Sequence, residues 1–440
     1  MKTNGFFTRY AAAFKLFVVG MIMLLLLIPT QMIRSLIGER QSRKNEVTRE
    51  ISRKWGRTQF VTGPVLQIPF EKLIEREKKL YRETDFVYLL PEMLDIDGKI
   101  QAEEKRRNIY KTVIYEADVK MQGHFDLSNI DDLNVNKSRL QWDRAKILLG
   151  IEDLGGIREQ IVNTTSSGKV TFEAGVTSNT PVGNGLYHPI RLEGDSIVSY
   201  DFTVALNGSK GMYFSPVGKV TTTHLQSDWP APSFQGSFVT DDYNLDTSGF
   251  SAHWKILDLN RSLPHAWTGD QTRIQGKYSY GVELDEGVDL YQKTERSVKY
   301  AALILGLSFL SFFLFEVLNG KSIHPVQYVF IGLTLVIFYS LLLSFAETIG
   351  FDGAYLISSL ATILLISIYS VSILGTWKKA LTLGAILVVL YGFIYVILQL
   401  ATYSLLFGSI GLFLFLAAVM MISRKIDWYA NPKKPQDVSA

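Results

Sequence analysis

Two carboxylates lie in or beside apolar sequence long enough to cross a membrane: Glu316 and Glu347. An ionisable group at membrane depth is costly, so it points to a proton or ion pathway, a ligand contact, or a buried polar pair. Glu316 falls inside or at the inner end of one apolar run, and Glu347 at the outer end of the next. His324-Pro325 opens that second run. Proline suits the first turn of a helix, and the histidine can cap that helix or pair with Glu316. The competing reading is that both carboxylates sit at interfaces, where they snorkel or cap helix ends. Glu347 fits that reading. Glu316 is expected to face the bundle interior against His324 or a tyrosine. Neither is joined by the several further buried charges that an ion pump needs. Tyr339, Tyr391 and Tyr395 read as packing or hydrogen-bonding residues.

Other chemistry is hard to assemble. The histidines stand at 124, 188, 224, 253, 265 and 324, and none has H-E-x-x-H spacing. Asp242, Asn244, Asp246 and Ser248 imitate the start of a calcium loop. Thr247 replaces the required glycine and His253 the required bidentate glutamate, so a polar turn is the better reading. Nucleophile-elbow, Walker and dinucleotide-binding motifs are missing, and Ser, His and Asp fall in no triad pattern. The chain has no cysteine, which excludes disulfides, thiolate catalysis and iron–sulfur clusters. The sequence therefore predicts no catalytic set, no cofactor and no metal. A net charge of +3 over 440 residues does not make a nucleic-acid-binding face.

The elements that carry these residues are mainly membrane helices. A crossing needs about twenty apolar residues. Five runs in the last third meet this, at 300–318, 326–345, 354–374, 380–400 and 403–422, and a sixth lies at 11–33. Lys321 and His324, then Lys378 and Lys379, then Arg424, Lys425, Lys433 and Lys434 occupy alternate breaks. The breaks at 347–352 and 401–403 carry no Lys or Arg. Basic loops stay inside. This places both termini in the cytoplasm, with Lys2, Arg9 and Lys15 as the inner flank of the first run. The block between the first and second spans is then outside. The basic segment Arg34, Arg40, Arg43, Lys44, Arg49, Arg53, Lys54 and Arg57 argues the other way, but the C-terminal loops agree with one another. The first run also resembles a signal peptide, yet Thr30-Gln31-Met32-Ile33-Arg34 offers no small-x-small cleavage site, so an uncleaved anchor is expected.

The expected organisation is a tail and first span at 1–35, a soluble domain at 36–298, a five-span bundle at 299–423 and a tail at 424–440. Val47, Ile51 and Trp55 form one helical stripe in an otherwise charged stretch. That stretch reads as a helix continuing out of the first span, either lying on anionic headgroups or serving as a solvated stem that caps the domain. Beyond Gly56 short alternating runs rich in β-branched and aromatic residues are separated by Gly, Asn, Asp and Pro. They predict a mostly antiparallel, sandwich-like β domain, with Asn207-Gly208 as a hairpin turn.

Longer motifs add a resemblance. Leu26-Leu-Ile-Pro29, Gly63-Pro-Val-Leu-Gln-Ile-Pro69, Trp229-Pro-Ala-Pro-Ser-Phe-Gln-Gly236, Gly249-Phe-Ser-Ala-His-Trp254, Phe312-Phe-Leu-Phe-Glu316, His324-Pro-Val-Gln-Tyr328, Glu347-Thr-Ile-Gly-Phe351 and Lys425-Ile-Asp-Trp-Tyr429 occur in this order. Together they resemble the CreD family of bacterial inner-membrane proteins. That resemblance implies a multi-pass inner-membrane protein tied to cell-envelope integrity and to the response to metabolic and β-lactam stress. It brings no catalytic residues. The expected role is non-enzymatic maintenance or sensing of the envelope, among membrane lipids and with a periplasmic or envelope protein as partner. Two rivals stay open: a transporter or exporter of a small molecule or lipid through the five-span bundle, and a membrane enzyme acting on envelope lipid precursors.

Overall fold

The computed structural model describes residues 11–424, apart from 77–78, 134, 166–167, 177–178, 193–195, 270–271, 275, 285–289, 320–321 and 401–402. Lys2, Arg9, Lys321, Lys425, Lys433 and Lys434 of the charge pattern lie outside the described residues. The chain forms two compact units. One holds 1–43 and 288–440, and the other holds 44–287.

Helix α1, Ala11–Trp55, is one uninterrupted element of 45 residues that contributes to both units. The first unit continues with α2 (Leu290–Lys299), α3 (Ala301–Asn319), α4 (Pro325–Ile349), α5 (Phe351–Leu374), α6 (Trp377–Gln399) and α7 (Ser404–Ser423). Helix α1 and α3 to α7 give six helices long and apolar enough to cross a membrane. Two of the breaks are short because a glycine turns the chain there. Gly350 at φ +82° ends α4 and opens α5, and Gly375 at φ +74° closes α5 in the left-handed conformation. Helix α2 escaped the sequence reading because ten residues with Lys, Arg and Glu carry no membrane signal. Three of its four buried residues, Tyr291, Thr294 and Ser297, carry hydroxyls and only Val298 is aliphatic, and it packs across α4, α6, α3 and α5.

The second unit is β-rich. A six-stranded sheet runs in the order Ile197–Ser209, Tyr110–Asp126, Met93–Arg107, Val220–Ser227, Gly249–Leu257 and Asp242–Asp246. A nine-stranded sheet is built around Gln59–Arg76, which pairs with Lys79–Leu89, Ala145–Ile151 and Gly211–Phe214. Strict alternation explains the faces. In Gly249–Leu257, Ala252, Trp254 and Ile256 are buried, while Ser251, His253 and Lys255 are not. Inward residues of both sheets, including Val61, Ile68, Phe125, Phe202, Phe214, Trp254 and Tyr280, form one shared core. The sandwich reading holds.

Two details differ from the sequence reading. The sheets are mixed: Met93–Arg107 lies parallel to Val220–Ser227, and Gln59–Arg76 parallel to Gly211–Phe214. Asn207-Gly208 is no hairpin turn but strand, opposite Glu116 and Tyr115. Glycine is needed there for space, since a Cβ at 208 would lie 2.3 Å from the Tyr115 ring. The end of α1 behaves as a stem. Thr48 and Ser52 are buried, Ser209 Oγ meets Ser52 Oγ at 2.7 Å, and Trp55 Nε1 donates to Tyr115 O at 3.2 Å.

Candidate functional site

Glu316 sits one turn before the end of α3 and is 8% exposed. Its Oε1 is ion-paired with Lys15 Nζ from α1, and its Oε2 accepts from Tyr328 Oη of α4 at 3.1 Å. Lys15 also donates to Ser322 Oγ at 3.1 Å. Edge-on contacts from Phe309 and Phe312 box the Tyr328 ring. The carboxylate thus ties α1, α3 and α4 together. His324 takes no part in this cluster. Its Nδ1 accepts from Val326 N at 3.3 Å, its N–H donates to Gln327 Oε1 at 2.9 Å, and Pro325 follows at the first helical position. It is a helix cap.

Glu347 lies at the far end of α4, about 33 Å from the start of that helix at 1.5 Å per residue. Tyr291 Oη donates to its Oε1 at 3.0 Å, and Arg40 Nε stands 3.9 Å away. Beside it, Asp352 Oδ1 in the first turn of α5 accepts from Tyr395 Oη at 3.0 Å and Gln399 Nε2 at 2.6 Å. Arg34 of α1 reaches Glu295 of α2 at 3.1 Å. The structure therefore sets Glu316 and Glu347 in two separate polar clusters at opposite ends of the helices. Between them the core is aromatic: the Phe338 ring packs on Tyr339, Tyr355 and Tyr391 at 4.8–5.5 Å. In the spanning helices four buried hydroxyls, of Ser308, Tyr339, Ser358 and Tyr391, have no hydrogen-bond partner among the described residues.

Lys15, Tyr328, Tyr291 and Arg40 were missed as site residues. One signal was available for Lys15: alternation of spans places the start of the first and the end of the second at the same end of the bundle. Nothing local marks Tyr328 or Tyr291.

The β-rich unit holds a third feature, an open groove of about 400 Å³ on the outer face of the six-stranded sheet. Lys99, Gln101, Gln226, Asp228, Asn244 and Asp246 line it. Register explains the lining: Lys99 faces Gln226, Gln226 faces Ser251, and Ser251 faces Asn244. The calcium-like segment is its rim. Asp242–Asp246 is an edge strand exposed along its whole length, and Asp246 caps the following turn through Ser248 N and Oγ. Those bonds, led by the Ser248 side chain, hold the Asp246 carboxyl below its usual range. A second groove of about 300 Å³ lies between the stem and the hairpin end, with Lys54, Trp55, Lys105, Arg106 and Arg107 around it. Arg107 pairs there with Glu50, and Arg106 with Glu104. Such polar, open surfaces suit reversible binding. No group of three or more His, Asp or Glu placed to hold a metal stands among the described residues, but register does line up Ser251 Oγ, His224 and Asp97 at 3.1 Å and 3.5 Å on the open sheet face, which sequence spacing did not show.

Comparison with known proteins gives two matches. A family model described as "Inner membrane protein CreD" matches residues 11–429. The protein of Escherichia coli (strain K12) named "Inner membrane protein CreD" is 32% identical over 415 residues, covering 92% of this chain and 91% of that relative.

Proposed function

The chain belongs to the CreD family of inner membrane proteins, and on that premise we propose that it is a non-enzymatic protein that maintains or senses the state of the cell envelope. It is a multi-pass inner-membrane protein. In this reading 36–298 is periplasmic and both termini are cytoplasmic. Lys378 and Lys379 at the start of α6, and Arg424 after α7, support that orientation. The opposing basic segment has a structural use, since Arg34 and Arg40 meet Glu295 and Glu347.

The observation that carries the reading is the contrast between the two units. The carboxylates of the bundle are held in side-chain pairs at its ends, whereas the β-rich unit presents an open polar groove beside an exposed edge strand. An edge strand and a groove together accept an extended envelope component. The test places a photo-crosslinking residue at Gln226, Asn244 or Tyr339 in native membranes. Capture of one envelope protein from 226 and 244, but not from 339, supports the binding role. Capture of lipid or small molecules from 339 alone defeats it. A second reading, transport through the bundle, rests on the four buried hydroxyls without partners, and that outcome at 339 is what it predicts.

A further inference from the structure

The outer face of the six-stranded sheet brings together two histidines that are 29 residues apart in sequence. Register sets His224 opposite His253 and extends the row to Asp97 on one side and Asp242 on the other. Residues directly opposite share a face. Asp97, His224, His253 and Asp242 therefore form one line across four strands. The His253 carbonyl accepts from Asp241 N at 2.9 Å, on the side of the edge strand. The N–H and C=O of one strand residue point toward the same neighbour, so His253 meets His224 as a non-hydrogen-bonded pair. In such pairs the Cα atoms are about 4.5 Å apart and the side chains closest. His224 Nδ1 lies 3.5 Å from Asp97 Oδ1, and its Nε2 lies 3.1 Å from Ser251 Oγ. Both rings are partly open to solvent.

We propose that His224 and His253 form a chelating site for a late first-row divalent cation of the Zn2+ or Cu2+ class. Imidazole is the ligand these ions favour. Two nitrogens on one tetrahedral ion are about 3.3 Å apart, given bonds of about 2.0–2.1 Å. Adjacent side chains on a non-hydrogen-bonded pair reach that separation by rotating, with no movement of the backbone. Asp242, opposite His253, supplies a carboxylate ligand, and water completes the shell. Asp97 is a positioning residue: its carboxylate, 3.5 Å from Nδ1, favours the proton on that nitrogen and leaves Nε2 of His224 as the ligating atom. Without the ion, that nitrogen rests against Ser251. The site is a two-histidine clamp and not a preformed cage. The remaining histidines offer no such pair. His124 faces Met93 and Ser199, His188 is buried, His265 lies beside Glu92, and His324 caps α4.

The test uses the full chain, purified in detergent and freed of metal. Zn2+ alone is titrated against a chromogenic chelator, and Cu2+ binding is read by electron paramagnetic resonance. One cation per chain is expected, with two-nitrogen coordination of Cu2+. His224→Gln and His253→Gln should each weaken binding by at least about tenfold, because even outer-shell losses cost 10- to 100-fold. The double variant should abolish it, and Asp97→Asn should weaken it about tenfold while keeping two-nitrogen coordination. His124→Gln is the control and should change nothing. Hydrogen exchange over 220–257 verifies that each variant stays folded. The proposal is overturned by a folded wild-type chain that binds neither ion. Binding that survives the double variant, or a Cu2+ spectrum without nitrogen ligands, overturns it equally.

Discussion

Replacing Lys15 by Met should destabilise the helical unit far more than replacing Glu316 by Leu. The two side chains are 19% and 9% exposed, so their ion pair is largely buried. Removing one partner of a buried pair costs about 3–5 kcal/mol, because the other charge is left without compensation. Among the described residues, Lys15→Met leaves the Glu316 carboxylate with the Tyr328 hydroxyl alone. Such an interhelical hydrogen bond contributes about 0.6 kcal/mol on average in membranes and at most about 1.7. The loss should thus fall near the full range of about 3–5 kcal/mol, roughly a 100- to 4,000-fold shift of the unfolding equilibrium at about 1.4 kcal/mol per decade. Glu316→Leu is different. The released Lys15 is in the second turn of α1 and can extend its ammonium to the interface. About 1 kcal/mol, the centre of the range for point substitutions, is expected.

The double variant Lys15→Met, Glu316→Leu removes both charges and fills the space with apolar groups. Such exchanges are neutral or stabilising by about 1–4 kcal/mol. The cycle should therefore show a coupling of at least about 2 kcal/mol. The assay is reversible unfolding in bicelles, with Tyr328→Phe as a reference that costs about 0.6 kcal/mol. The reasoning fails if the single effects simply add, or if Glu316→Leu proves the costlier change. A functional role separates by phenotype: Glu316→Gln that keeps abundance and fold but loses envelope integrity would make the carboxylate more than a structural contact.

Reporter fusions at residue 200 and at the C-terminus should report opposite compartments, with 200 outside; cytoplasmic activity at 200 would reverse the orientation. Gly249→Ala should destabilise the β-rich unit by about 1–3 kcal/mol, because φ is +145° and a Cβ would lie 1.9 Å from Ser227 O. Thermal melting of the full chain in detergent should then show a β-domain transition lowered by about 2–4 °C per kcal/mol, and an unchanged transition would contradict the geometry. Burial pushes His188 and His265 below the ordinary histidine range. The unfolded chain, titrating near about 6.5, then binds more protons than the folded one just below that pH, so stability falls as pH drops through this window. Hydrogen exchange over 185–190 and 266–268 should quicken between pH 6.5 and pH 5.5, about the range set by these groups, after correction for the intrinsic rate. His188→Gln should flatten the response, and a wild-type profile flat across this window would refute the assignment.

The membrane part was legible because each span is a long apolar run and basic residues fall in alternate breaks. The partners of its carboxylates were less so. Depth along a span can be counted, and that count places Lys15 and Glu316 at one end of the bundle. The rotation of one helix against another is not encoded in any single helix, so Tyr328 could not be told from Tyr339. The β domain divides in the same way. Alternation shows which face of Gly249–Leu257 is buried, since Trp254 and Ile256 follow Ala252 at period two. It does not show which strand lies alongside. His224 and His253 become neighbours only through register, and Asn207-Gly208 was misread because a glycine needed for the Tyr115 ring looks like one needed for a turn.

That division bears on where function can reside. A conducting path through the bundle would have to link the Glu316 and Glu347 clusters across about 30 Å of helix. The described side chains between them are the aromatic packing around Phe338, hydroxyls that hydrogen-bond within their own helices, such as Ser311 to Leu307 O and Ser370 to Ile366 O, and the four uncharged hydroxyls of Ser308, Tyr339, Ser358 and Tyr391, none of which bridges the two carboxylates. Each carboxylate already has its partner, so neither is poised to exchange a proton with the other. The outer sheet face is organised in the opposite sense. Lys99, Gln226, Ser251 and Asn244 in one row, and Asp97, His224, His253 and Asp242 in the next, are hydrogen-bonding and ionisable groups held on regular strands. Side chains placed by a rigid sheet and left open to solvent bind a partner at little ordering cost. The same groups buried in a bundle would have to be satisfied internally before the protein could fold.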